Sequence, residues 1–267
     1  MQPYDQPPHA SSATLASARS RPEIDEGLRA FMVGVYDNMV IGLALSAVVA
    51  LGINKLAVAG SQADAVALIG GVPLTALGRL LYTTPLTWLV ALAPLAFGFF
   101  FSARFDRLPP MMARTTFFLF AGLMGASFST LLIRYAGASV VQVFFITAAA
   151  FGSLSLWGYT TQRSISGIGS FLMMGLIGLI VASLVNIFLA SSAIQFAISG
   201  IGVLIFAGLT AYDTQKLKEI YLLGESDPDG TARASISGAL TLYLDFVNMF
   251  QFLLSLFGTS RSQQRRT

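Results

Sequence analysis

LYLDFVNMFQFLLSLF, Leu242 to Phe257, places one carboxylate, Asp245, inside a run that otherwise reads as the interior of a membrane. A charge at the centre of a bilayer costs about 2.5 to 3.5 kcal/mol on insertion scales, so such a residue usually faces a partner or a water-filled path and is a functional-site hypothesis by default. Two questions follow: whether the rest of the chain is also membrane-like, and which group keeps this acid company.

The composition answers the first. Of the 267 residues, 55% are hydrophobic and 11% charged, with a mean hydropathy of +0.71, against roughly 45 to 50% apolar in a soluble domain. About 20 apolar residues cross a hydrocarbon core of roughly 30 Å as a helix. Seven such runs occur: Leu28 to Ile53, Pro85 to Phe105, Thr116 to Tyr135, Ser139 to Tyr159, Ile168 to Leu189, Ala193 to the charged segment DTQKLKEI, and Ile236 to Phe257. A Gly- and Ala-rich connector with Gly60, Gly70 and Gly71 precedes the second run, and Pro109 and Pro110 break the chain after it. The expected protein is all-α, a seven-helix transmembrane bundle over residues 28–258. It stands between a polar tail, 1–27, which lacks an apolar h-region and reads as disordered, and a short basic tail, 259–267. Gly122 with Ala126 and Ala148 with Gly152 fall at four-residue spacing, which lets helix backbones approach and reads as ordinary packing.

Lys and Arg set the orientation. If all seven runs cross, ten of the 16 fall on the N-terminal side and six on the other, half of those six in the tail SRSQQRRT. The N-terminus is therefore expected in the cytoplasm. The basic tail fits badly, and a last helix that does not cross fully, or that sits in the centre of the bundle, would relieve the misfit.

The second question concerns three acids in or beside the apolar runs. Asp37 lies about two turns into the first and is close enough to the interface to be hydrated. Asp213, in GLTAYDTQKLKEIY, lies in the second half of the sixth helix, some nine residues before Leu222, and Asp245 lies a similar distance after Ile236. A short connector makes these helices antiparallel neighbours, so at about 1.5 Å per residue the two acids sit at nearly the same height. Two carboxylates facing each other away from water cannot both ionise easily; they share a proton and titrate as a unit, which makes a proton sensor. Thr241, Asp245 and Asn248 share one helix face, so Thr241 and Asn248 are pore-lining candidates. Such oxygens are hard ligands suited to Ca²⁺, held transiently by Asp213 and Asp245, because a tight site needs six to eight oxygens and no EF-hand loop is present. In the competing structural reading, both acids merely pair with Lys216, Arg104 or helix backbones. Arg104, in FFFSARFDR, is the most suitable basic partner, although its long side chain can also snorkel to the headgroups.

Other chemistries lack their parts. There are no cysteines, so neither disulfides nor thiolate metal sites are available, and the one histidine, His9, is in the tail. No nucleophile and base pair, nucleotide-binding loop or nucleic-acid-binding stripe is present. The chain is not expected to be an enzyme or to carry a cofactor.

The segments AYDTQKLKEIY, LTLYLDFVNMFQFLLSLFG, GSFLMMGLIGLIVASLVNIFL and VYDNMVIGL resemble the Bax inhibitor-1 family, also called the transmembrane Bax inhibitor motif family, in its bacterial branch. The resemblance spans about residues 28–258, and the paired Asp motifs are its specific part. It implies that the last helix is surrounded by the other six. It also implies a pH-sensitive calcium leak of the bacterial inner membrane, with Asp213 and Asp245 as sensor and Arg104 as the latch closing on them. The connector TTQRSIS departs from the family's pattern, with Ser164 where an Asp is usual. The expected partners are the lipid bilayer and the calcium ion. A rival reading is a regulatory membrane protein that binds a membrane-bound ATP-dependent protease or other membrane partner through its N-terminal tail, and a proton-coupled transporter is a third.

Overall fold

The structure, a computed structural model, describes residues 21–102, 108–223 and 227–261. Among them are eight helices and one hairpin: α1 (Arg21–Ala57), β1 (Ala67–Ile69), β2 (Val72–Leu74), α2 (Ala76–Thr83), α3 (Leu86–Ser102), α4 (Pro110–Arg134), α5 (Gly137–Thr160), α6 (Ser166–Leu189), α7 (Ser192–Leu223) and α8 (Pro228–Phe257). Six of them, α1 and α4 to α8, are each long and apolar enough to cross a membrane, while α2 and α3 pass the same test only as a pair bent by 65°. The protein is an α-helical membrane protein, with six unbroken candidate spans among the described residues, or seven with the broken one.

The break lies where the second span was expected to begin. Thr84 is extended, with φ −109° and ψ 170°, the conformation favoured before a proline, and Pro85 has no N–H to continue the helix. The connector before it is also more ordered than its glycines suggest. β1 and β2 pair antiparallel, with Leu68 opposite Pro73, around Gly70 and Gly71 at φ 54° and 80°, a two-residue turn of the kind only Gly or Asn forms cheaply. At the other end of the second span, Phe105 lies outside the described residues.

Helix α1 starts at Arg21, inside the stretch expected to belong to the disordered tail. Pro22 and the acids Glu23, Asp25 and Glu26 are residue types that suit a first helical turn. Residues 1–20 and 262–267 lie outside the described residues.

The last helix is central. It packs chiefly on α1, α4, α5 and α7, and half of its apolar window is buried, the largest share of any span. Tyr243, fully buried, stands edge-on to Phe117 of α4 at 5.6 Å, and its hydroxyl is 2.7 Å from Ser46 Oγ of α1. Since lipid tails are as apolar as the side chains, such close packing and hydrogen bonds hold the helices together more than any hydrophobic drive. Backbones approach closely where Gly78 meets Ala57, where Gly125 meets Ser46 and where Gly158 meets Ala211, positions at which a Cβ would collide with the facing main chain. Gly122 and Gly152, the pairs picked out by spacing, face open space instead.

The two ends of α8 lie on opposite faces of the bundle. At the start of α1, Phe31 stacks 5.2 Å from Tyr221 near the end of α7, and α8 begins just beyond. At the far face, Ala136 N donates to Thr259 O at 3.0 Å, Thr259 N donates to Ser139 Oγ at 2.9 Å, and Arg261 Nε donates to Tyr135 O at 3.1 Å. The last helix therefore crosses the whole bundle and ends against the α4–α5 turn, so the start of the basic tail lies on the face opposite the start of α1.

Candidate functional site

Asp227 begins the element that carries the site. Its side chain accepts from Asp229 N and Gly230 N, and Pro228 occupies the first turn, so α8 starts at a defined point. From there Arg233, Ser237, Thr241 and Asp245 recur every four residues along one face. Helix α7 faces it with Asp213, Lys216, Leu217 and Ile220, and between the two lies a cavity of about 410 Å³. It reaches from Ile220 and Gly230, beside the α7–α8 connector, inward to Asp213 and Thr241.

At the inner end the two carboxyls meet. Asp213 and Asp245 interact side chain to side chain, as their matched depth requires. Asp245 is only 4% exposed, and its Oδ2 is buried with no hydrogen-bond partner. Asp213 is half-buried on the cavity wall, where Lys216 acts on it electrostatically. An unpaired buried carboxylate oxygen is costly, and a proton held between the acids or a passing cation would satisfy it.

The other expected site residues divide. Thr241 lines the cavity, although its hydroxyl donates to Ser237 O at 3.2 Å. Asn248 is not among the lining residues; its amide turns back to donate to Leu244 O at 2.8 Å. Arg104, the expected latch, lies outside the described residues, as does Arg107. The cations on the cavity wall are Lys216 and Arg233, and Arg233 pairs with Asp227 at 3.7 Å. Arg233 and Ser237 continue the Thr241–Asp245 stripe toward the helix start, so the four-residue period contained the signal for them. Asp37 is exposed on α1. Ser164 sits in an exposed loop 2.8 Å from Ser166 Oγ, and Gln215 of α7 fixes that loop by accepting from Ile165 N and donating to Arg163 O.

A second polar feature had no sequence signal. Tyr36 Oη lies 2.6 Å from Ser155 Oγ, and Ser155 Oγ lies 2.8 Å from Thr214 Oγ1. This hydroxyl chain joins α1, α5 and α7 at the residue next to Asp213.

Chemically, the pair can share a proton or present a few oxygens to a cation in transit. Among the described residues no group of three or more His, Cys, Asp or Glu could hold a metal. Beyond the acids the α7–α8 seam is filled: Phe206 and Phe252 stack at 5.9 Å, with Phe252 packed against Gly202.

Comparison with known proteins places these features in a wider group. The profile of the family described as "Inhibitor of apoptosis-promoting Bax1" matches residues 28–262. The chain is 44% identical over 248 residues to an uncharacterized protein of Caulobacter vibrioides, covering 93% of this chain and 96% of the relative. It is 39% identical over 248 residues to an uncharacterized protein of Rickettsia prowazekii, covering 93% and 97%. It is also 41% identical over 241 residues to "Inner membrane protein YbhL" of Escherichia coli K12, covering 88% and 94%.

Proposed function

The chain belongs to the Bax inhibitor-1 family, and from that premise we propose that it is a pH-gated leak for small cations, calcium foremost, in a bacterial inner membrane, with Asp213 and Asp245 as the gate's proton-sensitive element. The observation that carries the reading is Asp245 itself: a carboxylate 4% exposed, with one oxygen unpartnered, buried behind Asp213, which lines a polar cavity. An acid kept there at a cost of several kcal/mol needs a use. The printed name of the YbhL relative supports the inner-membrane location, and the positive charge around the first span supports a cytoplasmic N-terminus.

In this reading the cavity is a vestibule and the Phe206–Phe252 seam is the closed section of the path. Ionised carboxylates attract a cation or a basic side chain, Lys216 or the Arg104 latch. Protonation weakens both contacts and shifts the closed and open populations by their difference in proton affinity. No chemical bond is made or broken, so the protein acts as a leak rather than as an enzyme.

The test is Ca²⁺ flux into liposomes carrying the purified protein, followed against pH. Asp213→Asn and Asp245→Asn should each flatten the pH dependence while the protein remains monodisperse. If both variants keep the wild-type profile, the sensor is elsewhere.

A further inference from the structure

Another face of the central helix borders a site the leak reading does not use. Between α1 and α5 runs a groove of about 690 Å³. Met39, Leu43 and Ala47 of α1 form one wall, Ala148 and Gly152 of α5 the other, and Phe246 of α8 lies in its lining. Phe246 is buried against Phe144 and Phe151, each 5.5 Å away ring to ring. From Arg29 to Ala47 the groove follows α1 over 19 residues, roughly 27 Å at 1.5 Å rise per step. Half of a 30 Å hydrocarbon core is only about 15 Å, so the groove runs from one interface past the midplane.

One end is marked as an interface by its side chains. Tyr159 and Arg29 line it, and Trp157, two residues before Tyr159, is 52% exposed, the depth at which aromatic belts sit. Lys218 Nζ donates to Tyr159 O at 3.2 Å and stands 5.8 Å from the Tyr159 ring centroid. Arg29 is exposed and makes no ion pair among the described residues; Asp25 and Glu26, one turn earlier, are not among the residues that line the groove. The apolar length is open: a Cβ added to Gly152 would meet no atom within 4 Å.

An apolar channel long enough to span one leaflet, open on the lipid side and headed by Arg29, matches one kind of molecule. We propose that the α1–α5 groove binds an acyl chain of an anionic phospholipid whose phosphate headgroup is held by Arg29, with Lys218 adding positive charge at the same level. The site touches the rest of the protein through Tyr36 and Ser155, which line the groove and connect by hydroxyl contacts to Thr214. The proposal stands whether or not the protein conducts ions.

Native mass spectrometry of the full chain in detergent tests it, with phosphatidylglycerol and phosphatidylcholine of identical acyl chains as probes. The wild type should retain phosphatidylglycerol several-fold better than phosphatidylcholine. Arg29→Gln should lose that preference while keeping weak binding of both. Gly152→Phe, whose ring would fill the groove, should lose both lipids. Gly178→Phe, at an exposed α6 position with equally open surroundings, should behave as wild type, and unchanged elution and melting will show that each variant is folded. Equal retention of the two lipids by the wild type overturns the headgroup assignment. Full retention by Gly152→Phe, or a loss in Gly178→Phe as large as in Gly152→Phe, overturns the groove.

Discussion

Asp245 and Phe246 are adjacent in sequence and about 100° apart around α8, and they face toward two unlike clefts. Asp245 meets Asp213, which lines the α7–α8 cavity together with Lys216 and Arg233. Phe246 lines the α1–α5 groove, among alanines, methionines and aromatic rings. Both residues are 4% exposed, so exposure alone does not distinguish them. The difference lies in what each neighbouring helix offers. A central helix can be polar on one face and apolar on the next because each outer helix supplies its own lining.

Exchanging the character of the two positions is the most severe way to break that contrast. Phe246→Asp should lower stability by about 2.5 to 3.5 kcal/mol, the cost of an unpartnered acid at membrane depth, read as a large drop in melting temperature and yield in micelles. Wild-type melting would mean that the groove is wet. Asp245→Leu should go the other way: it removes a buried carboxyl whose Oδ2 has no partner, so stability should be unchanged or higher, and the pH dependence of flux should vanish with it. A loss of stability in this variant would make the acid a structural group and return the case to the packing explanation. The smallest effect is expected at the cavity mouth. Arg233 and Asp227 form an exposed pair, with side-chain exposures of 36% and 59%, so Arg233→Gln should change stability by about 0 to 1 kcal/mol. A larger loss would mean that the mouth is a structural clamp.

What the sequence disclosed, and what it hid, follows from the range of each signal. The meeting of Asp213 and Asp245 was legible because helix rise and a short connector fix relative height. The central place of α8 was legible through the family resemblance and the misplaced charge of the tail. The broken second span was not, because a hydropathy window takes Pro85 as a starting point and cannot see that α2 precedes it at an angle. The hairpin was hidden because its strands are three residues each. Asn248 was misread because periodicity assigns a face but not the rotamer, and its amide bonds its own helix. Tyr36, Ser155 and Thr214 gave no sign, since contacts 119 and 59 residues apart leave no periodic trace.

The bonds that tie Thr259 and Arg261 to the α4–α5 turn anchor the far end of α8. Asp245 sits 13 residues from Gly258, roughly 20 Å along the axis, so a pivot of about 5° would carry it close to 2 Å sideways. The same rotation would scarcely disturb the anchored end, so displacement would be greatest toward the α7–α8 cavity, and a small tilt of one rod would change the distance between the two acids.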